Sequence, residues 1–343
     1  MDKQNSEIRF RASLAGNGDP WPVITRSRLG FLSRLQDGTP IDRIGWQSDD
    51  SDGESLEAAL AELESYSLLE QTELGPRPTF LIASHEETRR VVEAASATGD
   101  RLAACIAQRW DFLRSGFDQM STPKGRTFEE ASFFLVGARM LDIDLLSRLA
   151  RDGRLLIAAP SRPSPSEPNA KYFFYAIEGE VADMGAYGLD WSALSWSEWQ
   201  IGTFARNIVC GAQNPAREQL DRESARVLQA GTCESPQALA ASLNAICLDR
   251  EAMLTWEDLE SELLEQLHDI YRDEHEAIRT LSGIGRLRPE QALGEFACWY
   301  HHVAFAAAVE SLISAGLIAP PEGECILAIW YRTHPQEGLL IDA

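Results

Sequence analysis

The side chains with the chemistry of metal ligands gather in one region. Glu265 and His268 stand three residues apart, which on a helix puts a carboxylate and an imidazole on one face; His275 lies seven residues further along. Glu295 and His302 repeat the seven-residue spacing, with His301 beside the second. Two such helices packed antiparallel would join Glu265, His268, His275, Glu295 and His302 into a donor set for iron, manganese or zinc. Di-metal bundles need Glu-x-x-His on two helices, and here Cys298 stands where the second histidine belongs. The plainer reading is of solvated Glu and His on an acidic helix, with His302 a hydrogen-bonded core residue. The expectation is no bound metal and no cofactor, and a metalloenzyme using these five residues is one alternative.

Other chemistry is harder to place. No serine sits in G-x-S-x-G, and Ser282-Gly-Ile-Gly285 lacks the Lys-Ser/Thr of a phosphate loop. Cys105 and Cys247 lie among apolar residues at helical spacing and read as packed thiols. Asn214-Pro215 reads as a helix cap and first turn. Trp191, Trp196 and Trp199 have two readings, an aromatic platform for a peptide or ligand and large residues covering a domain seam.

The elements that carry these residues recur in one order. Arg28–Leu35 is helical and stops at Asp37-Gly38; a second helix spans Glu54–Tyr66, with Leu56, Leu60 and Leu63 on one face. Gly75-Pro-Arg-Pro78 reads as a turn and Thr79–Ala83 as a short strand. Helix, helix and hairpin is the order of a winged helix. A second such stretch opens at the capping box Thr127-x-x-Glu130, continues through Leu145, Leu146 and Leu149 and stops at Asp152-Gly153. Its wing is expected as a strand at Arg154–Ala159, a Pro-rich loop and a strand at Lys171–Ile177. The third comprises a helix at Glu295–Ser314 and a strand at Cys325–Tyr331. Tyr187–Phe204 reads as an irregular aromatic segment, Asn214–Leu248 as helical, and Trp256–Thr280 as a long acidic helix. The expected class is α+β, mainly helical, with tandem winged-helix-like modules. The expected divisions are 1–90, 91–185 with an enlarged wing, a connector and helix at 186–248, and an acidic helical region at 249–343 ending in a winged-helix-like unit.

Composition narrows the partners. The 343 residues carry 31 Lys+Arg against 53 Asp+Glu, a net charge of −22, and only three lysines, Lys3, Lys124 and Lys171. Nucleic-acid affinity comes from cationic contacts with phosphates, so such a chain disfavours that partner. At 44% apolar residues it can bury several cores. Six cysteines without a C-x-x-C pair read as free thiols of a reducing compartment. The first residues lack the apolar stretch of a signal peptide, and no run reaches the roughly 18 apolar residues of a membrane span. A cytoplasmic protein without membrane contact is expected.

The helix at 54–66 carries Glu54, Glu57, Glu62 and Glu64 and no basic residue, so it does not read DNA. The second module offers Arg148, Arg151 and Arg154 with Arg139 and Arg162 as a basic edge. A DNA-binding regulator or chromosome-associated protein using that module is the other alternative.

An acidic winged helix resembles the peptide-binding recognition elements found in the biosynthesis of ribosomally made, post-translationally modified peptides. The residues carrying the likeness are Phe31-Leu-Ser-Arg-Leu-Gln-Asp-Gly38 and the leucines at 56, 60, 63, 68 and 69. The family usually places strands before these helices, and only Trp21-Pro-Val-Ile-Thr25 is read here as one. The resemblance implies that a leader peptide adds as a strand at a sheet edge, against the third helix. The residues facing it would be Leu60, Leu63, Tyr66, Phe80 and Ile82. The resulting expectation is a non-catalytic accessory protein, an adaptor that recruits a substrate peptide to a modifying enzyme, such as a metal-dependent one.

Overall fold

The computed structural model describes residues 10–46, 53–73, 75–122, 125–156, 158–185, 187–194, 198–206, 215–230, 234–283 and 289–333. Cys210, Cys233, Trp196 and Asn214 lie outside the described residues. The class is α+β and mainly helical, as the periodicities imply.

The organising element is strand β5, Tyr172–Glu178. It is the middle strand of a three-stranded sheet, antiparallel to β1 (Phe10–Gly16) and parallel to β4 (Leu81–Ala83). Successive strand side chains point to opposite faces. Tyr172, Phe174 and Ala176 enter one core, and Phe173, Tyr175 and Ile177 enter another. The first core is closed by helices α1 (Arg26–Gln36) and α2 (Leu56–Ser65), which supply Leu29, Phe31, Leu32, Leu35 and Leu63. The hairpin of β2 (Leu69–Thr72) and β3 (Gly75–Pro78) follows α2 directly.

The second core is the large one. Helix α3 (His85–Gln108) begins in a capping box, with Ser84 and Glu87 satisfying each other's backbone N–H. Helix α4 (Trp110–Phe117) follows. Helix α5 (Phe128–Ser132) opens in the expected Thr127/Glu130 capping box and passes into a π-helical stretch, Phe133–Asp144, then α6 (Leu145–Asp152). Gly153 ends α6 at φ +66, the left-handed conformation that favours glycine. Helix α7 (Pro215–Ala230), α8 (Pro236–Ser242), α9 (Arg250–Ser282) and α10 (Pro289–Ser314) complete the set. From Gly294 to Val309 only Ala307 is not buried, so α10 is a central helix enclosed on all sides. It crosses α3 closely at Gly99, where a Cβ would lie 2.4 Å from the Ala304 carbonyl oxygen.

A four-stranded sheet of β6 (Tyr187–Ala193), β7 (Trp199–Arg206), β9 (Cys325–Tyr331) and β8 (Ile246–Leu248) covers the far side. Ile326, Ala328 and Trp330 face the large core, while Leu327 and Ile329 face α7 and α8. No helix among the described residues is long and apolar enough to cross a membrane.

Three local expectations are corrected. Arg154–Ala159 forms no strand among its described residues, so the wing's first strand is missing and its Pro-rich loop is closed by an isolated antiparallel bridge, Ser161 to Lys171; β5 instead completes a sheet with strands from before residue 90. Tyr187–Phe204 is two antiparallel strands, not irregular chain. Gly75–Pro78 is a strand paired antiparallel with Leu69–Thr72, not a turn. In a two-stranded ribbon Pro76 and Pro78 are tolerated because an edge leaves some backbone donors unused.

Candidate functional site

The outer edge of β1 borders a groove. Among the described residues β1 pairs only with β5, so its other side is an unpaired strand edge. Beside it lies an open groove of about 410 Å³ lined by Phe10, Arg11, Ala12, Trp21, Ile24, Thr25, Arg26 and Leu29. Trp21 sits on a 3-10 turn, Trp21–Val23, and is 38% exposed, with its ring edge-on to Phe174 at 5.9 Å. The Trp21–Thr25 segment is therefore a turn, and the strand preceding the helices is Phe10–Gly16. Thr25 caps α1 by accepting from Arg28 N at 3.3 Å, and the first turn of α1 holds no acidic residue. Two arginines and a helix N-terminus thus face one groove in a chain of net charge −22.

None of the five residues expected to bind peptide is among those lining this groove. Leu63, Phe80 and Ile82 are 1%, 0% and 2% exposed, and Leu60 and Tyr66 pack partly buried against the same core. Leu63, Phe80 and Ile82 close the core and cannot line a surface groove. Glu54 and Glu62 on the acidic helix side are both ion-paired with the buried Arg28.

The five Glu/His residues are dispersed. Glu295 lies 1% exposed against Arg162, N–O 2.7 Å, and accepts from Phe174 N at 2.6 Å. Arg162 also donates to the carbonyls of Tyr172 and Thr79, at 2.6 and 2.8 Å. Burial pushes Glu295 up to about 7 against the opposing pull of Arg162. His302 is buried with Nδ1 2.7 Å from the Cys298 carbonyl, one turn back on its own helix. His275 lies 3.4 Å from the Arg154 carbonyl. Only Glu265 and His268 remain together, and Asp269 joins them.

A further polar group surrounds the π-helical stretch. His301 is pushed down to about 3 by burial, so its ring is neutral. Its Nε2 donates to the Leu141 carbonyl at 3.0 Å, which leaves Nδ1 to accept from Tyr271 Oη at 2.9 Å. Asp142 accepts from Leu189 N, and burial raises it to about 7. Glu260 is raised by burial and then by Asp144, which Arg139 engages at 3.3 Å. The sequence signal for this group was the placement of charged residues inside an apolar run, Phe133–Asp144.

Of the arginines proposed as a basic edge, Arg139 and Arg162 are buried and cannot touch a phosphate. Arg148 pairs with Glu265 and Arg154 with Asp152, and Arg151 Nε donates to the Ser147 carbonyl at 3.4 Å. Trp191 is 37% exposed, while Trp199 packs edge-on to Tyr331. Comparisons with protein-family models, with curated proteins and with solved structures gave no match for this chain.

Proposed function

We propose that this chain is a non-catalytic binding protein that takes up an extended, acidic peptide by strand addition along β1, and holds it for a partner enzyme that modifies it. The observation that carries the reading is the β1 edge, unpaired among the described residues, beside a groove lined by Trp21 and Arg11. An added strand gains backbone hydrogen bonds from the edge, and its alternate side chains enter the groove. Trp21 supplies the apolar anchor of the kind that dominates such interfaces. Arg11 and the N-terminus of α1 select negative charge. The order strand, helix, helix, hairpin over residues 10–78 supports the likeness to peptide-recognition winged helices.

An array of extended peptides of varied charge tests this. Binders rich in Asp and Glu are expected, with affinity reduced at least about tenfold by Trp21→Ala or Arg11→Glu. Absence of any binder, or binders indifferent to both substitutions in chains with native melting curves, would overturn it.

A further inference from the structure

We propose that Glu265, His268 and Asp269 of α9 bind a divalent transition-metal cation of the zinc or manganese type, with Asp152 at the end of α6 facing the same imidazole from outside the ligand group. On α9 the three residues stand at i, i+3 and i+4, and one ligand atom from each lies within 4.8 Å of the others. Acidic side chains at that spacing are common on helices without any ligand. The independent observation is His268. It is 6% exposed, and neither ring nitrogen has a hydrogen-bond partner. Buried polar atoms in folded proteins are nearly always satisfied, and one left without a partner costs about 1–3 kcal/mol.

The neighbouring distance points the same way. Asp152 Oδ2 lies 3.6 Å from His268 Nε2, too far for a hydrogen bond. A carboxylate at that distance from a ligating imidazole acts as an outer partner that orients the ring, so Asp152 supports the group without belonging to it. Gly153 fixes the position of Asp152 by ending α6 there, with its N–H bonded to the Leu149 carbonyl at 3.2 Å. One imidazole and two carboxylates suit zinc, manganese or ferrous iron better than the all-oxygen cages of calcium.

Arg148 engages one oxygen of Glu265, and Arg272 engages one oxygen of Asp269. Each arginine competes with a cation for the same carboxylate, and that gives the site a signature that surface metal binding lacks. The site lies on α6 and α9, apart from the β1 groove, and does not depend on the peptide reading.

The test uses the full chain stripped with a chelator, dialysed against micromolar zinc or manganese chloride, and measured by elemental analysis. One ion per chain is expected. His268→Ala and Asp152→Asn should each weaken binding by about tenfold to a hundredfold, Arg148→Gln should tighten it, and His275→Ala should leave it unchanged. Cobalt chloride in place of zinc should give a visible absorption band that His268→Ala removes. If His268→Ala does not fold, as circular dichroism will show, Asp152→Asn and Arg148→Gln decide the matter. A folded chain that retains no ion would overturn the proposal. So would retention equal to the parent's in both Asp152→Asn and Arg148→Gln.

Discussion

Gln36 closes the free edge of β4 by standing in for a neighbouring strand at Ile82. Its Nε2 donates to the Ile82 carbonyl at 2.6 Å, and its Oε1 accepts from Ile82 N at 3.2 Å. One buried carboxamide thus supplies both halves of a ladder rung, which a passing peptide would otherwise provide. The same sheet leaves its opposite edge, β1, unpaired among the described residues. The two edges differ because α1 ends against β4 and begins beside β1.

Gln36→Leu should therefore strand the Ile82 N–H and C=O inside the protein. A loss of about 1–3 kcal/mol is expected in a urea titration. Unchanged stability would show that another donor and acceptor replace the carboxamide.

Asp142 should make stability fall as pH rises. Its folded pKa of about 7 exceeds the unbound value of 3.8 because burial favours the neutral acid. A carboxyl raised by folding stabilises most below the unfolded value, and that contribution is lost as pH climbs from about 4 to about 7. Asp142→Asn keeps a neutral acceptor for Leu189 N and removes the loss. Relative to the parent it should gain stability between about pH 5 and about pH 8, by up to about 4 kcal/mol. His301 acts in the opposite sense, because its pKa is lowered to about 3 and its contribution is lost as pH falls. Comparing urea midpoints of the variant and the parent at each pH cancels that background.

Arg162 and Glu295 form an enclosed ion pair, 3% and 1% exposed at the side chain. Arg162→Met leaves Glu295 without its counter-charge and should destabilise by about 3–5 kcal/mol, less at low pH, where the carboxyl is neutral. Adding Glu295→Leu should recover part of that loss. A double variant no more stable than the single one at neutral pH would contradict this account.

Gly99→Val should separate α3 from α10. The nearest obstacle to a Cβ is the Ala304 carbonyl oxygen at 2.4 Å, which is backbone and cannot turn aside. A loss of about 1–3 kcal/mol is expected, and Ala307→Gly in the same chain should not restore it.

Where local chemistry settles local structure, the sequence was legible. Leu56, Leu60 and Leu63 marked α2, Thr127 and Glu130 marked a helix start, and Gly153 marked a helix stop. Ser84 and Glu87 carry the same capping signal for α3, whose apolar positions 91, 95, 102 and 106 are helically spaced, although the sequence reading passed over them. Strand β7 was not legible, since Gln200 to Ala205 is buried throughout and period-two alternation disappears when both faces are covered; β6 shows no alternation either, being buried at Tyr187 and Gly188 and exposed from Asp190 on. Partners remote in sequence were hidden as well: nothing near Lys171–Ile177 tells that its neighbours are residues 10–16 and 81–83. At the candidate sites Glu265 and His268 were singled out together, but Asp152 and Asp269 looked like any other acidic residue. The β1 groove was missed because Phe10, Ala12 and Leu14 make only a short alternating run.

The central place of β5 has a consequence for how the protein is made. A ribosome releases residues 10–83 long before 172–178, and at about 5–20 residues per second the delay is on the order of ten seconds. Until then β1 and β4 have no strand between them, and Phe80 and Ile82 lack the side chains of Tyr172, Phe174 and Ala176 that cover them. The nascent amino-terminal portion is thus an unfinished sheet with two adhesive inner edges. Chains truncated before residue 172 should aggregate or recruit chaperones, and a peptide matching 172–178 supplied in trans should rescue their solubility.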